Sequence, residues 1–136
     1  HTLEEKSKTY PASPSGMTGV QTLVPTMLDH VNAGRLSLAR FVDLTSAGPA
    51  RIFNIACKGR IAAGYDADFT VVDLKRSETI TNEWVASKAG WTPYDGVKVT
   101  GWPVGTFVRG RKVMWQGELV TPSQGETIRF METLKP

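Results

Sequence analysis

The chain opens with residue types suited to holding a ligand, and it offers few suited to breaking a bond. His1 begins a polar stretch, HTLEEKSKTYPASPSG, that ends on Ser15 and Gly16. A histidine at the mouth of a loop can donate to a carboxylate; an exposed terminal residue is the plainer reading, and its spacing allows both. Gly16 has no Cβ, so the backbone there can come close to a ligand, while Ser15 offers main-chain groups and a hydroxyl. N–H groups exposed just before a helix start favour a carboxylate or a polarised carbonyl. Catalytic groups are harder to find. Glu4 and Glu5 stand beside Lys6 and Lys8 and read as solvated surface. His30 falls late in a helical pattern, where the macrodipole favours a cation. In GYDADF, Gly64 and Asp66 read as a turn, with Asp68 tying backbone N–H groups at the start of a strand. Cys57, His1 and His30 are too few for a structural zinc site. The expectation is a grip without a catalyst: no catalytic side chain and no metal ligand within the chain.

Composition narrows the class. At 136 residues, 40% hydrophobic and 21% charged, the chain suits one ordinary globular domain. The net charge is +3, and only RGRK at 109–112 is locally basic. The Gly within it predicts a hairpin turn, so no nucleic-acid partner is expected. No apolar run approaches the roughly 20 residues that cross a bilayer, and the polar first ten residues predict no secretory leader. A single cysteine excludes an internal disulfide, and the cytoplasm is the expected compartment. Cys57 is expected to behave as a small buried or half-buried side chain.

The elements that would position these residues change character near residue 56. Before it the pattern is helical. Thr18 and Gln21 fit a capping box, and Val20, Leu23, Val24, Met27, Leu28 and Val31 then recur at helical spacing. Gly34 suits the left-handed position past the end. Pro25 should bend this helix unless the true start lies a few residues later. Two shorter helices follow in LSLARFVDLTSAGPARIFNI. Ser37 caps the first, which buries Leu38, Phe41, Val42 and, at its end, Leu44; Ser46 caps the second, with Pro49 in its opening turn and Ile52, Phe53 and Ile55 on its apolar face. Beyond residue 56 the reading is β. Phe69 to Leu74 reads as a strand covered on both faces, and 78–81 as a second short strand. A hairpin over 105–120 is expected to turn at Gly110-Arg111 and again at Gln116-Gly117. WTPYDG at 91–96 is a loop, Trp84, Trp91, Trp102 and Trp115 are core or interface, and the tail after Pro122 is a short extended or helical end.

Taken together, HTLEEKSKTYPASPSGMTGVQTLVPTML, LTSAGPARIFNI, KGRIAAGYDADFTVVDL, TPYDG and GTFVRGRKVMWQGE closely resemble the C-terminal part of a bacterial dihydroorotase. Dihydroorotases are zinc enzymes of the amidohydrolase superfamily, in pyrimidine biosynthesis. The KGRIAAGYDAD block points to the superfamily, and the spacing from His1 to Ser15-Gly16 points within it to dihydroorotase.

The resemblance implies an α/β TIM-barrel family fold, a metal-dependent amidohydrolase, of which this chain is a fragment. Residues 1–55 would be the last loop and helices of the (β/α)8 barrel, and 56–136 the C-terminal part of a composite β-sandwich and its tail. A barrel needs roughly 250 residues, so the zinc ligands and the catalytic Asp would lie upstream. Zinc would then belong to the full-length enzyme and not to this fragment. By resemblance His1 matches the histidine that binds the substrate carboxylate, and Ser15 and Gly16 match the stretch whose backbone holds the ring of dihydroorotate. The implied partners are dihydroorotate or N-carbamoyl-L-aspartate and either another copy of the protein or the missing N-terminal part, because the helical apolar faces and a sheet edge need cover. The competing expectations are a non-catalytic dihydroorotase-like scaffold of aspartate transcarbamoylase, or an allantoinase- or hydantoinase-type amidohydrolase.

Overall fold

A four-stranded antiparallel sheet, in chain order, carries the second half of the molecule. The computed structural model describes residues 1–120 and 125–131. The strands are β1 (Phe69–Thr79), β2 (Lys98–Val108), β3 (Arg111–Trp115) and β4 (Glu118–Leu119). The two short strands expected at 69–74 and 78–81 are largely one long strand, which ends at Thr79 and is interrupted where the register slips between Asp73 and Ser77. Asp73 causes the slip locally: its Oδ1 accepts from the backbone N–H of Lys75 at 2.9 Å and of Arg76 at 3.1 Å. A short polar side chain that bonds its own backbone competes with the ladder. β1 is also not covered on both faces; Val71 and Leu74 are each more than a third exposed.

The first half of β2 contradicts its own composition, since Gly101 and Pro103 both argue against a strand. Register shifts accommodate them. Val71 pairs with Gly105 and Val72 with Pro103, so Val104 is the extra residue of a bulge. The hairpin turns at Arg109-Gly110, one residue before the expected site. Both residues take positive φ, 51° and 79°, as a two-residue turn between twisted strands requires. Gln116 and Gly117, at 52° and 89°, make the second turn where expected.

Four short helices precede the sheet: α1 (Leu3–Lys6), α2 (Leu23–Asn32), α3 (Leu38–Val42) and α4 (Gly48–Ile52). Because α2 begins at Leu23, Pro25 falls in its first turn, where a missing N–H costs little. Thr18 and Gln21 are therefore not a capping box. Gly34 follows the helix with φ 71°. Ser37 caps α3 as expected, accepting from the Arg40 N–H at 3.1 Å. Ser46 caps nothing. A π-helical turn, Asp43–Ala47, runs from α3 straight into α4, so the two helices form one continuous bent run. Pro49 is tolerated in its opening turn. Of the expected apolar side chains here, Phe41 is buried, whereas Leu38, Val42, Leu44, Ile52 and Phe53 are exposed. A face this apolar marks a surface made to be covered.

The core lies between β2 and the segment 80–94 that follows β1. Ile80, Val99 and Trp102 are buried, with Trp84, Tyr94 and Val104 packed around them. The rings of Trp84 and Trp102 meet at 4.7 Å between centroids, tilted by 46°. Trp91 is buried as well, and Trp115 lies at the surface. Polar side chains seat the helix. Asn32 Nδ2 donates to Leu74 O at 3.0 Å and Thr100 O at 2.8 Å, and Asp29 Oδ1 accepts from the Thr100 N–H at 3.0 Å. Gly101, at φ 105°, lies under Leu28, and a Cβ there would stand 2.5 Å from the Leu28 Cβ. The far end of the chain closes the helix-to-sheet junction: Ile55 bridges Phe130, the Ala56 N–H donates to Arg129 O, and the Met131 N–H donates to Asn54 O, both at 2.8 Å. Residues 125–129 form no regular element and Phe130 makes the bridge, while Pro122 lies outside the described residues. No helix among the described residues is long and apolar enough to cross a membrane.

Gly101→Ala must both strain the backbone and push α2 off the sheet. It should lower stability by roughly 2–4 kcal/mol. Gly117→Ala, whose Cβ would meet nothing within 4 Å, should cost about 1 kcal/mol from its left-handed φ alone. Urea midpoints of the two variants measure the difference.

Candidate functional site

The opening segment is an ordered loop folded around one lysine. Thr2 Oγ1 accepts from the Glu5 N–H at 3.3 Å, and Glu5 Oε2 accepts from the Thr2 N–H at 2.9 Å. This capping box starts α1. The same Glu5 oxygen lies 3.3 Å from His1 Nδ1. Glu5 is therefore more than solvated surface: it caps α1 and lies within reach of the histidine. The signal was legible as Thr2 followed by Glu5 at capping-box spacing. Lys6 then reaches across the loop. Its Nζ donates to Pro14 O and, at 2.9 Å, to Gly16 O, while Ser13 Oγ returns a bond to Lys6 O at 3.0 Å. The carbonyls on either side of Ser15 are thus pinned by one ammonium. Gly16 has φ 88° and open space around it, and Ser15 is exposed. His1, Ser15 and Gly16 belong to one hydrogen-bonded loop, and no hydrogen bond among the described residues joins His1 directly to the other two.

The loop is in turn fastened to residues 82–95, which follow β1. Trp91 Nε1 donates to His1 O at 2.8 Å, and the Thr18 hydroxyl donates to Trp91 O. Gln21 grips both sides of Trp84–Ala86: its Nε2 donates to Trp84 O at 2.9 Å and its Oε1 accepts from the Ala86 N–H at 2.8 Å. Those are the bonds that replace the expected capping role of Thr18 and Gln21. The receiving loop is internally braced. Asn82 Oδ1 accepts from the Thr92 N–H at 2.8 Å, and Asp95 Oδ1 from the Asn82 N–H at 2.9 Å. An apolar hollow of about 300 Å³ lies beside the segment, lined by Met17, Thr18, Val20, Gln21 and Val85 among others.

The remaining candidates lie elsewhere. His30 is exposed on α2, and its Nδ1 accepts from Arg35 Nε at 2.6 Å. Cys57 is half-buried. The turn falls at Ala62–Tyr65, closed by the Tyr65 N–H on Ala62 O at 3.1 Å with Gly64 at φ 85°, so Gly64 makes it and Asp66 follows it. Asp68 ties a different backbone from the expected one, its Oδ1 accepting from the Arg109 N–H at 2.8 Å at the hairpin turn across the sheet. Lys58 Nζ bridges Asp66, at 3.0 Å, and Asp68. Arg109 completes the cluster with Asp66 at 3.1 Å and Glu126 at 3.2 Å. Desolvation pushes the Asp68 carboxyl up, but the Lys58 ammonium and the Arg109 N–H outweigh it and hold the group below 3.8. Desolvation likewise opposes the Lys58 charge, and its two aspartates outweigh that and hold it above 10.5. Every charge here has an opposite partner, which fits a structural clasp better than a site awaiting a ligand. Among the described residues, no three His, Cys, Asp or Glu side chains gather as a metal site would require.

The site is thus a polar loop beside a helix and a small antiparallel sheet, with no cluster of three metal donors among the described residues. The profile of the amidohydrolase family matches residues 13–113, and the chain belongs to that family. Its relatives include particular enzymes. The dihydroorotase of Methanothermobacter thermautotrophicus is 44% identical over 120 residues, covering 88% of this chain and 28% of that protein. The dihydroorotase of Pyrococcus furiosus is 43% identical over 128 residues, covering 94% and 30%. A solved structure of the L-hydantoinase (dihydropyrimidinase) of Arthrobacter aurescens superposes with a TM-score of 0.77 at 38% identity, covering 81% of this chain and 25% of that one. The chain spans under a third of the length of these relatives.

The clasp carries its own pH signature. A depressed carboxyl stabilises the fold above its unfolded pKa, and that stability is lost as pH falls through the lower folded value; a raised ammonium stabilises below 10.5 and loses its effect as pH rises through the higher folded value. Asp68→Asn should therefore be less stable than the parent at neutral pH. The deficit should shrink as pH falls below 3.8, and solvent screening should keep it modest throughout. Denaturant titrations across pH measure the convergence.

Proposed function

We propose that this chain is the C-terminal part of a dihydroorotase, the cyclic amidohydrolase that interconverts dihydroorotate and N-carbamoyl-L-aspartate in pyrimidine biosynthesis. The observation that carries the reading is identity of 43–44% to proteins named dihydroorotase along some nine-tenths of the chain. Residues 1–55 would then complete the barrel and 56–136 the small β-sandwich. The exposed face of Leu38, Val42, Leu44, Ile52 and Phe53 supports this reading, because a preceding barrel would cover it. A cytoplasmic location and self-association belong to the same proposal.

In this reading His1 binds the substrate carboxylate. Glu5 accepts from Nδ1, and Nε2 donates to the incoming acid group when the ring is the imidazolium, whose two nitrogens both carry protons. Ser15 and Gly16 present backbone groups to the ring, and Lys6 sets their orientation by holding the carbonyls of Pro14 and Gly16. Fixing a substrate by several pre-placed groups lowers the entropic part of the barrier. The described residues do not fit a zinc site, so the metal of the full-length enzyme and its proton-transferring Asp are assigned to the residues upstream. The chain's own share is to bind and orient.

A hydantoinase-type activity is the second reading, favoured by the likeness to the Arthrobacter L-hydantoinase. The two differ in the acid group that His1 would bind. In the full-length protein, His1→Ala should raise KM for dihydroorotate about 10- to 100-fold, the worth of one charge-assisted bond. Turnover of hydantoin with no turnover of dihydroorotate would overturn the first reading and support the second. The 136 residues alone should neither hydrolyse dihydroorotate nor bind zinc tightly; activity in proportion to bound metal would refute that.

A further inference from the structure

The loop that carries the binding residues is not closed by its own chain neighbours. One residue from the sheet half closes it. The buried Trp91 meets both ends of the segment 1–18: its indole Nε1 donates 2.8 Å to His1 O, and its carbonyl accepts from the Thr18 hydroxyl. Ninety positions separate Trp91 from His1 in the chain. Trp91 is itself held in place, since the neighbouring Thr92 N–H is bonded to Asn82 and Gln21 grips both sides of Trp84–Ala86.

We infer that Trp91 is a positioning residue for the substrate grip: it fixes the backbone of His1 while Glu5 fixes the ring. The two restraints are complementary. Glu5 touches Nδ1 and holds the Thr2 N–H at 2.9 Å, which restrains the His1–Thr2 peptide from one side only. The indole N–H holds the carbonyl from the opposite side, so the His1–Thr2 peptide plane that carries the imidazole is fixed at both of its polar groups. With either restraint missing, the ring sweeps an arc, and the entropy of stopping it is charged to binding. This inference rests on the reading of His1 as the carboxylate-binding residue.

The test uses the full-length enzyme and four proteins: the parent, Trp91→Phe, His1→Ala and the double variant. Phenylalanine keeps an aromatic ring in the buried site and removes the N–H donor together with part of the ring volume. Trp91→Phe should raise KM for dihydroorotate about fivefold, as loss of one neutral hydrogen bond does, with kcat changed less than about twofold. In the His1→Ala background the same substitution should raise KM no further, because its effect passes through His1. A general loss of packing would lower kcat and melting temperature and would act equally in both backgrounds. Equal effects in the two backgrounds, or an unchanged KM in Trp91→Phe, overturn the inference while leaving the role of His1 intact. An unchanged KM in His1→Ala overturns the reading on which it rests. If Trp91→Phe does not yield folded protein, hydrogen exchange of the Trp91 indole N–H in the parent enzyme replaces it. Exchange should slow when dihydroorotate is added, and an unaltered rate overturns the inference.

Discussion

The seating of α2 on β2 governs what the rest of the chain can do. Asn32 reaches from the last turn of the helix to carbonyls on two strands, Leu74 O and Thr100 O, and Asp29 takes the Thr100 N–H in return. Each of these backbone groups sits beside the β1 slip or at Gly101, where the ladder does not pair it regularly. Helix side chains therefore supply the hydrogen bonds that the irregular strands leave open, which is how buried peptide groups avoid an uncompensated desolvation cost. Gly101 makes the arrangement possible by letting the helix approach to where a side chain would collide. Leu28, fully buried, fills the contact.

From that seat the opening loop inherits its position. α2 begins one residue after Thr22 and five after Thr18, so the loop cannot move without the helix or the bonds at Trp84, Ala86 and Trp91 giving way. The loop's internal order comes from Lys6 and Glu5, both of which look like ordinary surface charges in isolation. A helix of four residues such as α1 would not persist in water by itself. It survives because its cap, its lysine and the indole of Trp91 each attach it to something larger.

How much of this was legible from residues alone follows from how local each determinant is. The α3 cap at Ser37, the glycine after α2, the Gln116-Gly117 turn and the WTPYDG loop depend on neighbours within a few positions, and the structure has them where the sequence places them. The failures are nonlocal. Thr18 and Gln21 carry the right types for a capping box, yet their polar atoms are claimed by residues 63 to 73 positions away. Gly101 and Pro103 weaken a strand in principle, and here a bulge and a docking helix absorb both. The apolar run at 69–74 resembles a strand buried on two sides, and within this chain it is left partly open. The family resemblance was visible because several local blocks coincide. The brace at Trp91 was not, because a buried tryptophan in a loop looks the same whether it packs or positions.

The strap over residues 129–131 has a consequence for biogenesis. It pairs with residues 54–56, at the point where the helices give way to the sheet, and so joins the middle of the chain to a stretch made some seventy-five residues later. Domains generally organise from the N-terminus while synthesis proceeds. Here the helical run can form early, but its junction stays unlatched until the ribosome has released the strap. During that interval the backbone groups of Asn54 and Ala56 lack the partners that residues 129–131 later supply, so the helical run is joined to the sheet by fewer bonds than in the finished fold.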